Sequence, residues 1–183
     1  MKRALLCFLL CACSPSEEPV VRRTFFADGK PWSELSYVRG KPDGPWTTWH
    51  ANGQKASLGS YERGAQSGRW QRWFENGSLA VDSNYREGLL DGAYDEHWPD
   101  GKLRTHGAYR LGRCEGLWTS YTREGAKWIE GLYRDGEMDG IWTGYAPDGS
   151  VKGYAVYVKG RSLQGDEKKA ALEAAGIRAA GIK

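Results

Sequence analysis

Histidine occurs three times, at 50, 97 and 106, and cysteine four times in 183 residues. No HxxxH, HExxH or CxxC spacing is present, so neither a metal centre nor a cofactor is expected. No glycine-rich segment reads GxxxxGK[ST], which removes the common phosphate loop. Aliphatic side chains are few, and 25 Gly, 9 Trp and 10 Tyr stand in an otherwise polar chain. Aromatics must therefore supply much of the buried area, and the profile favours β-structure punctuated by turns.

The first residues, MKRALLCFLLCACSPSEEP, carry a basic start at Lys2 and Arg3 and a short apolar run from Ala4 to Ala12. Nine residues cannot span a bilayer as a helix, so this stretch reads as an export signal. Its end, LCAC, places Leu10 and Ala12 at the −3 and −1 positions of a bacterial lipobox, with Cys13 as the lipid attachment residue. The alternative is an ordinary secretory signal cut near Ala12. Removing residues 1–12 takes Lys2 and Arg3 and no acid, leaving 24 basic against 23 acidic side chains, a net +1. The basicity belongs to the signal, and no nucleic-acid partner is expected. Cys7 and Cys11 leave with the signal, so Cys114 stands alone, with no CxxC partner, and reads as a tolerated turn residue.

Tyrosines fall at 37, 61, 85, 109, 133 and 157, each 24 residues from the last. With each Tyr taken as position 0, glycine recurs at +3, +7 and +16 in all five units. Position +9 holds Trp46, Trp70, Tyr94, Trp118 and Trp142, and position +12 holds Trp49, Trp73, His97, Tyr121 and Tyr145. A period kept without insertion marks a repeat architecture. Asn-Gly or Asp-Gly pairs at +15/+16, such as Asn76-Gly77, predict two-residue type I′ hairpins, weakest at Glu124-Gly125. A looser five-residue connection is expected between +3 and +7.

The expected fold is all-β: an elongated single-layer antiparallel β-meander of five 24-residue repeats, with a short C-terminal helix. A turn at +15/+16 pairs positions whose offsets sum to 31, so the +9 ring faces +22. That position holds Gly59, Ser83, Gly107, Gly131 and Ala155, all small, as expected of a ring lying over its cross-strand partner. Alternation places Trp70, Leu79, Val81 and Tyr85 on a packed face, and Trp73 with Gln71 and Asp82 on the other. The domain reading is signal 1–12, tether 13–23, repeats 24–162 and helical tail 163–183. Asp166 is the expected N-cap of that tail, which either covers the last strand's edge or frays.

The pattern YxxGxxxGxWxx[WY]xxNG over about residues 24–162 resembles bacterial variants of the MORN repeat, in particular those associated with antitoxin components of toxin–antitoxin systems. The usual MORN consensus has Tyr-x-Gly and a Gly-x-Gly pair. Here the first Gly falls one place later and Trp replaces the last Gly. The resemblance implies the β-repeat fold and a role in protein contact, oligomerisation or membrane association. With an export signal, it implies immunity against an exported effector more readily than an intracellular antitoxin.

An enzyme is not expected, since the carboxylates form no convergent pair and a one-layer ribbon offers no cleft. The expected function is a membrane-anchored, non-catalytic scaffold binding a protein partner. The alternative is a cell-wall glycan- or choline-binding module, since the repeats are also similar to choline-binding modules. Its binding ladder would be Trp49, Trp73, Tyr121 and Tyr145, with planar rings stacking on sugars or holding a cation. Ser14, where many inner-membrane lipoproteins carry Asp, points to the outer membrane facing the periplasm in a cell with two membranes.

Overall fold

The computed structural model describes residues 18–177. The signal and the Cys13 attachment point lie outside the described residues. Thirteen strands follow one another in a single antiparallel sheet whose spatial order is the chain order. They are β1 (Val20–Phe25), β2 (Pro31–Val38), β3 (Lys41–Trp49), β4 (Lys55–Glu62), β5 (Ala65–Trp73), β6 (Leu79–Arg86) and β7 (Leu89–His97). These continue with β8 (Leu103–Arg110), β9 (Arg113–Tyr121), β10 (Lys127–Arg134), β11 (Glu137–Tyr145), β12 (Val151–Val158) and β13 (Arg161–Ser162). One helix, α1 (Gly165–Ala174), ends the described chain. The meander of repeats with a terminal helix is the fold that the 24-residue period specifies.

The two turn types are exchanged relative to the sequence expectation. The two-residue type I′ turns lie at +2/+3, where Arg39, Arg63, Glu87, Leu111, Asp135 and Lys159 each adopt φ near 50° before a left-handed glycine. Strand pairing closes directly around them, as Glu62 with Ala65. At +15/+16 only the glycine is left-handed. The Gly77 N–H donates to the Phe74 carbonyl at 2.9 Å, and the Phe74 N–H donates to the Ser78 carbonyl at 2.9 Å. That is a three-residue loop, a type I turn followed by a glycine bulge. Asn76 is selected for its side chain: its Oδ1 accepts from the Ser78 N–H at 3.0 Å. Asn52, Asp100 and Asp148 make the same bond.

Non-glycine residues in the left-handed region are costly, and the preceding unit offsets the cost. The Gly64 N–H donates to the Pro42 carbonyl at 2.7 Å, and the bond recurs at Gly88, Gly112, Gly136 and Gly160. The residue before the glycine donates its N–H to a +6 carboxylate, as Asp135 does to Glu115 at 3.1 Å and Lys159 to Asp139 at 3.3 Å. On the opposite margin the Asn76 Nδ2 donates to the Pro99 carbonyl at 2.8 Å, 23 residues on. Both margins of the ribbon are thus stitched from unit to unit.

Register beyond the bulge is as expected, with Trp46 facing Gly59, Trp70 facing Ser83, Tyr94 facing Gly107, Trp118 facing Gly131 and Trp142 facing Ala155. The bulge moves one residue, however. Leu79 pairs with Trp73 and shares its face, not that of Trp70, because Ala80 is the extra residue between Arg72–Val81 and Trp73–Leu79. Cys114 is a half-buried strand residue of β9 opposite Tyr109, not a turn residue.

Helix α1 follows from an Ala-rich run with Asp166 and Glu167 in its first turn, where acids suit the helix dipole. Gln164, not Asp166, holds the N-cap position, and no side chain caps the helix start. Its end closes with Gly176 N–H to the Glu173 carbonyl and Ile177 N–H to the Leu172 carbonyl, both 2.9 Å. Leu172 packs with Val156 and Leu163, so the helix is docked on the last strands rather than frayed.

Candidate interaction surface

The sheet has two unlike faces. On the packed face a row of residues crosses the strands, alternating large and small: Trp46, Gly59, Trp70, Ser83, Tyr94, Gly107, Trp118, Gly131, Trp142. Each glycine of the row is covered by the ring of the following unit, not by its hairpin partner. A Cβ at residue 59 would lie 2.7 Å from Cε3 of Trp70, and one at residue 107 would lie 2.8 Å from Cε3 of Trp118. Gly131 stands in the same relation to Trp142. The tyrosines at position 0 fill the gaps edge-on, with Tyr61–Trp70 at 5.2 Å, Tyr109–Trp118 at 5.1 Å and Tyr133–Trp142 at 5.1 Å between centroids. Each such pair contributes ~0.5–1.5 kcal/mol beyond its burial. Trp70 and Trp142 are only 6% exposed in a single layer, because their neighbours in the row bury them. The Nε1 of Trp118 and of Trp142 donates to the carbonyl of Ala108 and of Leu132, both at 3.1 Å.

Burial shapes the titration of this face. Tyr61, Tyr94, Tyr109 and Tyr133 are all pushed above the ordinary tyrosine range, chiefly by desolvation. A shallow hollow at its margin is lined by His50, Ser57, Arg72, Phe74 and Glu96 among others, and the His50 Nε2 lies 2.9 Å from the Trp73 carbonyl.

The open face carries the +12 row. Trp49, Trp73, His97, Tyr121 and Tyr145 all lie half-buried, between the two outcomes of full exposure and full burial. Lys55 stands over Trp73 at 5.6 Å and Lys127 over Tyr145 at 5.8 Å, so the residue at +18 of one unit covers the ring of the next. Beside this row runs a polar one in which Gln71, Asp82, Asp95, His106, Thr119 and Glu130 face one another across successive strands. Arg69 chelates Asp82 through Nε and Nη2 and holds its carboxyl below the ordinary range. His106 Nδ1 lies 2.6 Å from Asp95. Glu130 accepts from Lys127 at 2.7 Å and from the Tyr145 hydroxyl, which lowers the carboxyl and raises the phenol. On the same face Leu117 pairs with Leu132, and both are exposed.

The structure therefore brings Trp49, Trp73, Tyr121 and Tyr145 onto one face at two-strand intervals, roughly 9–10 Å. His97 continues the row. Sequence reading placed Gln71 and Asp82 beside Trp73 but missed how the row continues through Asp95, His106, Thr119 and Glu130, because charges on a strand reveal partners only once register is known. It also missed the +6 acids Asp43, Asp91, Glu115 and Asp139, whose recurrence in four of five units was the available signal. Among the described residues no group of three His, Cys, Asp or Glu side chains is placed to hold a metal ion. No helix among them is long and apolar enough to cross a membrane.

No curated protein matches the chain. A family model described as the MORN repeat variant matches residues 42–63 and 66–87, two consecutive units whose register the remaining units share. Two units of the single β-meander thus match the MORN repeat variant, and such repeats suggest a repeat-based binding scaffold.

Proposed function

We propose that this chain is a lipid-anchored, non-catalytic interaction scaffold of the bacterial cell envelope. Cys13 carries the acyl anchor, the residues between it and β1, which begins at Val20 inside the expected tether, hold the sheet off the bilayer, and the open face binds a protein partner. In a cell with two membranes the site is the outer membrane facing the periplasm, and immunity against an exported effector fits that location. The observation that carries the reading is the contrast between the faces. Trp70 and Trp142 of the packed face are buried, whereas all five side chains of the +12 row stay half-buried. A repeated surface of rings and paired charges is suited to a large, flat protein epitope.

The glycan or choline reading uses the same rings. Lys55 and Lys127 already occupy the cation–π positions over Trp73 and Tyr145, which favours the protein partner. Anchoring is tested by Cys13→Ser, which moves the chain from the membrane to the soluble fraction; unchanged retention would refute it. The partner is tested by crosslinking in membranes. Recovery of a protein lost on Trp73→Ala supports the scaffold, and pull-down on purified cell wall alone supports the glycan module.

A further inference from the structure

The two ends of the ribbon are complementary fragments of one repeat. A complete strand in the first half of a unit runs from +4 to +12, as Ala65–Trp73 does. At the N-terminal end β1 supplies only +7 to +12, and Pro19, which has no N–H to give, stands just before it. Beyond β12 the chain supplies only +4 to +6. Arg161 and Ser162 pair with Val158 and Tyr157, and the Leu163 N–H donates to the Val156 carbonyl at 2.7 Å. Gly165, at φ 51°, then turns the chain into α1. Among the described residues no strand lies on the outer edge of β12 from Val151 to Ala155.

The side chains at the two ends match as well. Inside the sheet a +18 residue covers the +12 ring of the next unit, as Lys55 covers Trp73. Among the described residues no +18 side chain precedes the first ring, Phe25, which is 58% exposed, and no ring follows the last +18 residue, Val151, which is 48% exposed. Ala155 is the last small +22 residue, and the next unit of its own chain brings no ring to cover it. At +9 of β1 stands Arg22, whose planar guanidinium already lies 4.7 Å over Tyr37.

We propose that copies of this chain join end to end, β1 of one copy adding to the open edge of β12 in the next. Continuing the internal register sets Thr24 opposite Gly153 and Arg23 opposite Tyr154, as Arg72 faces Ser57 and Gln71 faces Leu58 within the sheet. Phe25 then meets Val151, and main-chain hydrogen bonds carry the junction. The joined surfaces differ, so the series is open rather than a closed dimer. A β1–β1 pairing would set Arg22 and Arg23 against their own copies, which like charges oppose. The inference is independent of the anchor and of the partner.

The test is a cysteine pair, Thr24→Cys with Gly153→Cys, in the full chain with Cys7, Cys11, Cys13 and Cys114 changed to Ser, so that the pair holds the only thiols. Eleven strand spacings, about 50 Å, separate the two positions in one copy, so any disulfide between them joins two copies. Oxidation is expected to give a ladder of dimers, trimers and longer species on a non-reducing gel. Thr24→Cys with Tyr154→Cys, whose side chains project from opposite faces, is expected to give none. A monomer in the first variant, or equal ladders in both, would overturn the proposal. So would sedimentation of the unmodified chain as a monomer at its highest soluble concentration.

Discussion

The indole of Trp70 lies flat on Gly59, leaving no room for a Cβ. The same contact joins Trp118 to Gly107 and Trp142 to Gly131, but where the next unit carries the smaller Tyr94 its cross-strand partner is Ser83. Gly59→Ala is expected to cost ~1–3 kcal/mol or more by overpacking, read from urea unfolding. Changing Trp70→Tyr together with Gly59→Ser recreates the Tyr94–Ser83 pair. The double variant should be more stable than the Gly59→Ser single variant, and additive losses would contradict the packing described.

Trp70 and Trp73 differ by face, and their truncations should differ accordingly. Trp70→Ala removes a buried ring and is expected to cost ~3–5 kcal/mol. Trp73→Ala removes a half-buried ring and a lysine contact, for which about half that loss is expected. Equal losses in thermal or urea unfolding would show that the open-face rings serve as core.

The turns allow a stabilising test. Glu124 occupies the position at which Asn52, Asn76, Asp100 and Asp148 bond the N–H two residues on. Glu124→Asn should supply that bond and add ~0.5–1.5 kcal/mol. Leu111 sits at φ 49°, so Leu111→Gly should relieve ~1 kcal/mol of backbone strain. Lower melting temperatures for both variants would contradict the turn assignments.

The packed face predicts alkaline sensitivity. Folded-state phenols of Tyr61, Tyr94, Tyr109 and Tyr133 titrate above the unfolded value of about 10. Raised pKa values mean that their stabilising contribution is complete below that pH and is lost as pH rises toward the folded values. Melting temperature is expected to fall steeply above pH 10, with tyrosinate absorbance appearing together with unfolding. Full tyrosinate absorbance in the folded protein would contradict the burial.

The strand count, the meander and the Trp–small pairing were legible because a 24-residue period fixes register once one turn is placed. The turn chemistry was not. Asn-Gly fits a type I′ turn and equally a three-residue loop in which Asn bonds the following backbone, and only φ at Asn76 separates them. Two compensating differences, one more loop residue and one bulge, returned the register to the expected pairing while moving Leu79 to the other face. Which ring covers Gly59 was hidden for a similar reason, since two rings flank each glycine and the hairpin names only one. The +12 row was visible as spacing, but its half-burial depends on Lys55 and Lys127 reaching across from the preceding unit.

The open face as a protein-binding surface is tested most directly by a photoreactive phenylalanine analogue placed singly at Trp73, Tyr121 or Arg72 in intact envelopes of the chain's own cell. Trp73 and Tyr121 lie on the open face, and Arg72 is exposed on the packed one. The account predicts that the first two positions capture one and the same protein and that Arg72 does not. Capture from Arg72 alone, or adducts with glycan and no protein from Trp73 and Tyr121, would contradict it.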